Sequence, residues 1–248
     1  MIFNKIFTFF LILFNVFTTY SQLYSGKIHY KKQLISDSKS NDTKQINSYL
    51  SKKDIELKKT LDDINFILQF NKEESLFFVE NINMEVEENR YYKLSILTGG
   101  NSGIWYLNSK DKSRLRQINA FGQDFLIKSN MNSVSWELIN ESKKIGNYIC
   151  FKATSNYVVN NSKGTFNHPV VAWYTDKLPI NFGPIGYGGL PGLIMELSVR
   201  NVKYYINKIE LNPKIESEIM IPTKGKMVSE EEFEEIGKNM MQSFKKAF

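Results

Sequence analysis

The stretch Gly188-Gly189-Leu190-Pro191-Gly192-Leu193-Ile194, running into Met195-Glu196-Leu197-Ser198-Val199, decides how this chain is read. Pro191 presets φ and Gly192 accepts a positive one, so residues 190–193 are expected to form a type II turn. The glycines ahead of the turn carry no side chain and permit close backbone approach. Beyond it, Met195, Leu197 and Val199 alternate with Glu196, Ser198 and Arg200, the period-two pattern of a strand that buries one face. Gly183-Pro184 and Gly186 add turn potential upstream, which makes 181–192 a compact, mostly apolar loop feeding a strand.

Two roles are open to that loop. In the simpler one it is a tight, fold-defining connection whose Leu and Ile side chains plug the core. In the other, Phe182, Ile185, Tyr187, Leu190 and Pro191, with Trp173 on the preceding strand, form an apolar lip for a ligand or partner. Exposure separates the two, because loops carry function where their side chains are accessible.

Outward from this point the chain reads as short runs rich in aromatic and β-branched residues, separated by Asn, Asp, Gly and Lys, the pattern of a meandering antiparallel sheet. Strands are expected from Gly26, and at 65–70, 75–80, 91–97, 103–108, 125–127, 134–140, 148–159, 165–175, 194–199 and 202–211. Residues 160–164 are a loop signal, and Arg200-Asn201 a tight hairpin turn in which Asn tolerates positive φ. Residues 36–44 are polar, and 44–61 read equally as a helix or an excursion. Ser229-Glu230-Glu231-Glu232 matches a capping box opening a helix with an apolar stripe of Phe233, Ile236, Met240, Met241 and Phe244. The fold class expected is mainly β: a single curved antiparallel sheet or half-barrel, with a C-terminal helix closing its end or lying across its mouth.

The run GLPGLI, with Trp136, the block Ile145-Gly146-Asn147-Tyr148-Ile149-Cys150-Phe151-Lys152-Ala153 and the aromatic strand Ala172-Trp173-Tyr174-Thr175, resembles the signature of the GLPGLI family of secreted proteins from Bacteroidetes-type bacteria. The resemblance covers residues 136–199, with weaker echoes at 65–75 and in the acidic C-terminal helix. It implies export and a β-rich fold, and no assigned activity or catalytic positions. At the level of fold alone the pattern also resembles the half-barrel of periplasmic lipoprotein carriers, in which helices cover a curved sheet; fold does not settle function.

The ends and the composition set bounds. Lys5, the apolar core 6–17 and Thr19-Tyr20-Ser21 read as an export signal over residues 1–21, leaving a single β-rich domain from Gln22 to Phe248. The apolar core is shorter than the ~20 residues of a membrane span, so a chain without a span after signal removal is expected, acting in the periplasm. One cysteine, Cys150, cannot form an internal disulfide. The formal net charge of +6 is spread among interspersed lysines and acids, which favours solubility over a nucleic-acid surface.

Catalytic chemistries find little support. Only His29 and His168 are available, far apart, so no metal site is expected. There is no G-x-S-x-G elbow, and Cys150 in an alternating strand reads as a small buried hydrophobe, with a Cys150–His168 pair the remote alternative. Residues 99–103 lack the Lys-Ser/Thr ending of a phosphate loop and read as a hairpin loop. Asp62, Asp63, Asp124, Asp176 and Glu196 have no spacing that singles out a pair. The expectation is a binding or envelope accessory protein without a cofactor, holding an apolar small molecule or peptide between sheet and helix. Strand addition to an envelope protein and a carboxylate-dependent hydrolase are the alternatives.

Overall fold

The computed structural model describes residues 25–35, 55–80, 90–99, 102–161, 164–214 and 218–246. The expected signal segment 1–21 and the polar stretch 36–44 lie outside them. Among the described residues twelve strands form one sheet: β1 (Gly26–Leu34), β2 (Phe66–Phe70), β3 (Glu74–Val79), β4 (Ile104–Asn108), β5 (Ser113–Ala120), β6 (Gln123–Asn130), β7 (Glu137–Ile145), β8 (Tyr148–Asn161), β9 (Gly164–Thr175), β10 (Leu193–Val199), β11 (Val202–Leu211) and β12 (Lys226–Ser229). Helices α1 (55–63), α2 (Arg90–Leu97) and α3 (Glu230–Lys246) accompany them.

The strand order, β12-β6-β5-β4-β3-β2-β1-β11-β10-β9-β8-β7, resolves into two meanders. Strands β2 to β6 form one and β7 to β11 the other. β1 joins them by pairing antiparallel with both β2 and β11. The sheet is mainly β architecture in one open layer with a C-terminal helix, as the alternation implied. One pair departs from the expected antiparallel pattern, because β12 runs parallel to β6.

The sheet is strongly curled. β5 and β8 stand eight positions apart, roughly 38 Å in a flat sheet at ~4.8 Å per strand, yet side chains from both line one cleft. What fills the curl is the loop between β9 and β10. Phe182, Ile185, Leu190, Leu193 and Ile194 are at most 2% exposed, and the loop reaches β4, where the missing Cβ of Gly186 leaves room for the Trp105 ring. Tyr30 of β1 donates its hydroxyl to the Ile194 carbonyl at 2.6 Å in the core. Tyr30→Phe should keep the packing and strand that carbonyl, lowering stability by about 1–2 kcal/mol in denaturant melts.

Several expectations change. Residues 91–97 are helical, not a strand, because Tyr92, Ser95 and Ile96 fall at i, i+3, i+4 and turn inward while Lys93, Leu94 and Leu97 face out. Strand β5 was not expected at all. The strand expected at 134–140 begins later, after a 3-10 turn at Met131–Ser133, and runs to a two-residue hairpin with Gly146 at φ +55°. Of the expected hairpin loop 99–103, residues 100 and 101 lie outside the described residues; the element before β4 is α2, not a strand. In the β10–β11 turn the positive φ falls on Arg200 (+53°), not on Asn201.

The expected type II turn at 190–193 is also corrected, since the positive φ belongs to Gly189 (+83°) and Gly192 is not in the left-handed region. Gly192 is glycine for another reason. A Cβ there would lie 2.0 Å from the Thr175 carbonyl oxygen, where the loop's end crosses the end of β9.

Candidate ligand-binding cleft

Strand β5 carries Leu115 on one face and Arg114, Arg116 and Ile118 on the other, and its register turns the arginines toward the inside of the curl. Arg116 pairs with Trp105 of β4, and Arg114 with Ser129 of β6. The guanidinium of Arg116 lies 4.7 Å from the centre of the Trp105 ring and that of Arg114 5.9 Å, within cation–π range. Arg114 donates through Nε to the Ser129 hydroxyl at 2.8 Å, and Arg116 through Nε to the Ser102 carbonyl at 2.9 Å.

The parallel edge completes the site. β12 brings Ser229 opposite Lys128, so the next residue, Glu230, arrives beside Ser129 and its neighbour Arg114. Arg114 Nη2 and Glu230 Oε2 are 2.8 Å apart, with Arg114 only 10% and Glu230 42% exposed along their side chains. The expected capping box holds the helix start in place. Ser229 N–H donates to the Glu232 carboxylate at 2.7 Å, and Glu232 N–H to the Ser229 hydroxyl at 3.1 Å. Phe233 docks edge-on to Phe125 of β6, ring centres 5.2 Å apart, anchoring α3 on the sheet.

The resulting cleft of about 300 Å³ has Trp105, Arg114 and Arg116 on one wall, Tyr157 of β8 on the other, Ile185 and Tyr187 of the β9–β10 loop within it, and Glu230, Glu231 and Glu234 of α3 along one side. Arg200 lies with its guanidinium 5.0 Å from the Tyr157 ring centre, and its buried Nε has no hydrogen-bond partner among the described residues. Burial pushes the Arg116 guanidinium down to about 10, which leaves it charged at neutral pH. Burial likewise raises the Tyr187 hydroxyl far above its ordinary range. The Tyr187 ring is steadied by Trp136 at 5.9 Å, and the Trp136 indole donates to the Gly188 carbonyl at 2.9 Å.

Of the six residues expected to form an apolar lip, Ile185 and Tyr187 reach this cleft. Phe182 and Leu190 are buried in the core. Trp173 lies on the other face of the sheet, where Lys143 Nζ sits 4.5 Å and Lys152 Nζ 5.9 Å from its ring centre, and Pro191 is exposed. The cleft residues not anticipated are Trp105, Arg114, Arg116, Tyr157 and Glu230.

The acids considered for hydrolysis are dispersed. Asp124 pairs with Lys224 at 2.8 Å, Glu196 with Lys143, and Asp62 and Asp63 end α1. Cys150 is fully buried and desolvation raises its thiol to about 11, while His168 faces Tyr157, seven residues farther along β8. Among the described residues no three His, Cys, Asp or Glu side chains converge as a metal set, and no helix is long and apolar enough to cross a membrane. A larger cavity of about 730 Å³ lies between α1 and the β1–β11 pair, lined by residues including Lys32, Leu34, Leu61 and Tyr205. Two of its rim residues, Ile35 and Ile55, are joined by a stretch outside the described residues.

Residues 159–196, from the tip of β8 into β10, match the family described as "Protein of unknown function (Porph_ging)". No curated protein matches the chain. Two structures of PNGF-II are similar at 13% identity. The one in a C2 space group has a TM-score of 0.49 over 86% of this chain and 32% of that one. The one in a P21 space group has a TM-score of 0.46 over 87% and 33%. This chain thus spans about a third of the length of either.

Proposed function

We propose that this chain is an exported, non-enzymatic binding protein of the secreted GLPGLI type, acting in the periplasm, which holds a small molecule or peptide segment between the curled sheet and α3. The observation that carries the reading is the cleft itself, in which Trp105, Tyr157 and Tyr187 supply ring faces and Arg114 and Arg116 supply fixed donors. Ligand sites are concave, with apolar or aromatic walls and a few placed polar groups, and about 300 Å³ is the small end of their range. The β9–β10 loop acts as the scaffold, presenting Tyr187 and Ile185 while its other apolar side chains anchor it.

Native and denaturing mass spectra of the full chain purified from cells test this. A bound mass in the wild type that is absent from Ser133→Trp supports it, since Ser133 is an exposed lining residue and an indole there would fill the opening. A bare polypeptide mass in both proteins overturns it. The second reading, strand addition, draws on β7, which ends the sheet with nine residues and exposes Leu138, opposite Ala153 of β8. Cross-linking from Leu138 to a partner would favour it.

A further inference from the structure

We propose that the cleft is an oxyanion receptor, taking a carboxylate or phosphate carried on a flat body, and that Glu230 occupies the anion position until such a ligand displaces it. This rests on the reading of the cleft as a ligand site. The first support is composition: among 32 basic residues only four are arginine, and three of those four, Arg114, Arg116 and Arg200, gather around Trp105, Tyr157 and Tyr187. Lysine serves the rest of the surface. The guanidinium differs from an ammonium in being a planar fork that matches carboxylate and phosphate oxygens two at a time and that stacks on rings. A chain that uses it almost nowhere else places it here.

The second support is that the position is already held by a carboxylate. Arg114 Nη2 meets Glu230 Oε2 at 2.8 Å, while Arg114 Nε is kept in register by Ser129. The arginine is fixed and nearly buried; the glutamate is 42% exposed on the first residue of a helix. Of the two partners, the glutamate is the one free to leave. The third support is the walls. An anion seated on Arg114 lies beside Trp105 and faces Tyr157 and Tyr187, so the body that carries it is held by aromatic faces. Ligand entry then releases Glu230 and loosens the first turn of α3 from β5, which couples occupancy to the docking of that helix.

The test is an NMR titration of the full chain, following the Trp105 indole and the Arg114 side chain, with three probes of similar size: benzoate, phenyl phosphate and benzyl alcohol. Both anions are expected to shift these signals at concentrations where benzyl alcohol does not, and the tighter anion identifies whether carboxylate or phosphate is the natural group. Glu230→Gln is expected to tighten anion binding about tenfold while leaving benzyl alcohol unchanged, and Glu234→Gln, the same charge change on the same helix without the arginine contact, to alter it less than about threefold. Equal gains from the two variants, or no gain from Glu230→Gln, overturn the displacement. Benzyl alcohol binding as tightly as the anions overturns the receptor but leaves the cleft reading standing. Absence of any shift with all three probes overturns the receptor, and with a bare native mass the cleft reading falls too.

Discussion

Gly192→Ala is expected to destabilise the chain by more than roughly 3 kcal/mol, beyond the usual range for forcing an extra methyl into a packed site. The added Cβ would lie 2.0 Å from the Thr175 carbonyl oxygen and 2.6 Å from its carbon. These are backbone atoms at the end of β9, and the next residue, Leu193, pairs with Thr175 in the ladder and donates its N–H to the Leu178 carbonyl. Neither side can move without opening the β9–β10 connection. For a domain of this size that cost corresponds to a fall in Tm of about 10 °C, or to failure to fold. Gly189→Ala is the control: its φ of +83° is unfavourable for alanine, but nothing lies within 4 Å of the new Cβ, so a loss of about 1–2 kcal/mol is expected. Thermal melts of the two variants separate steric crowding from backbone preference at neighbouring glycines.

The second large effect is at Lys32, a lysine 1% exposed in the middle of β1. Its Nζ donates to the carbonyls of Ser95 at 2.9 Å, Ile96 at 3.1 Å and Thr98 at 2.6 Å, which closes the C-terminus of α2, and lies 5.8 Å and 5.6 Å from the ring centres of Phe66 and Tyr204. Lys32→Met keeps the apolar stem and removes the donor from these carbonyls; at pH 9 the neutral amine offers two N–H groups, so a loss of roughly 2 kcal/mol is expected. Burial lowers the amine from its ordinary 10.5 to about 7 in the folded chain. Between pH 7 and 10.5 the unfolded chain therefore holds the extra proton, so this group's contribution rises with pH through that window. It is fully present above 10.5 and is lost as pH falls to 7. Denaturant melts of wild type and Lys32→Met at pH 7, 8.5 and 10 should show the gap widening with pH; a gap that narrows would mean the ammonium is the form the site prefers.

The same lysine explains where the sequence misleads. The aromatic run from Tyr91 to Leu97 suggests a strand, and tertiary contacts make it a helix: a buried Ser95 and a lysine amine supplied from β1, 63 residues away, to the helix end. By contrast 202–211 was legible to the residue, because turn residues bound it and its inward positions Val202 and Tyr204 are apolar. Strand β5 escaped because its inward positions are Arg114 and Arg116, which invert the usual rule that the buried face is the apolar one. The curl of the sheet around 181–192 followed from an apolar loop needing a place to bury itself. The cleft did not, since Tyr157, Trp105 and Glu230 are brought together only by that curl and by the parallel pairing of β12. The one advance signal was compositional, the scarcity of arginine in a lysine-rich chain.

The position of β1 has a kinetic consequence. Most strands of each meander join their neighbours through short turns, with α2 between β3 and β4 and the loop 176–192 between β9 and β10, so each half can form from contacts within its own stretch of chain. β1 cannot complete its pairing that way: it meets β2 on one side, but Gly26 must find Leu211 on the other. A chain emerging from its N-terminal end therefore holds β1 with one open flank until residue 211 is out, and the middle of the sheet zips only after both halves are made. Contacts that bridge most of the sequence slow folding toward milliseconds to seconds. The rate at which this protein reaches its native state is thus expected to be set by one closure, the capture of β1 by β11, with both halves waiting as preformed but separate sheets.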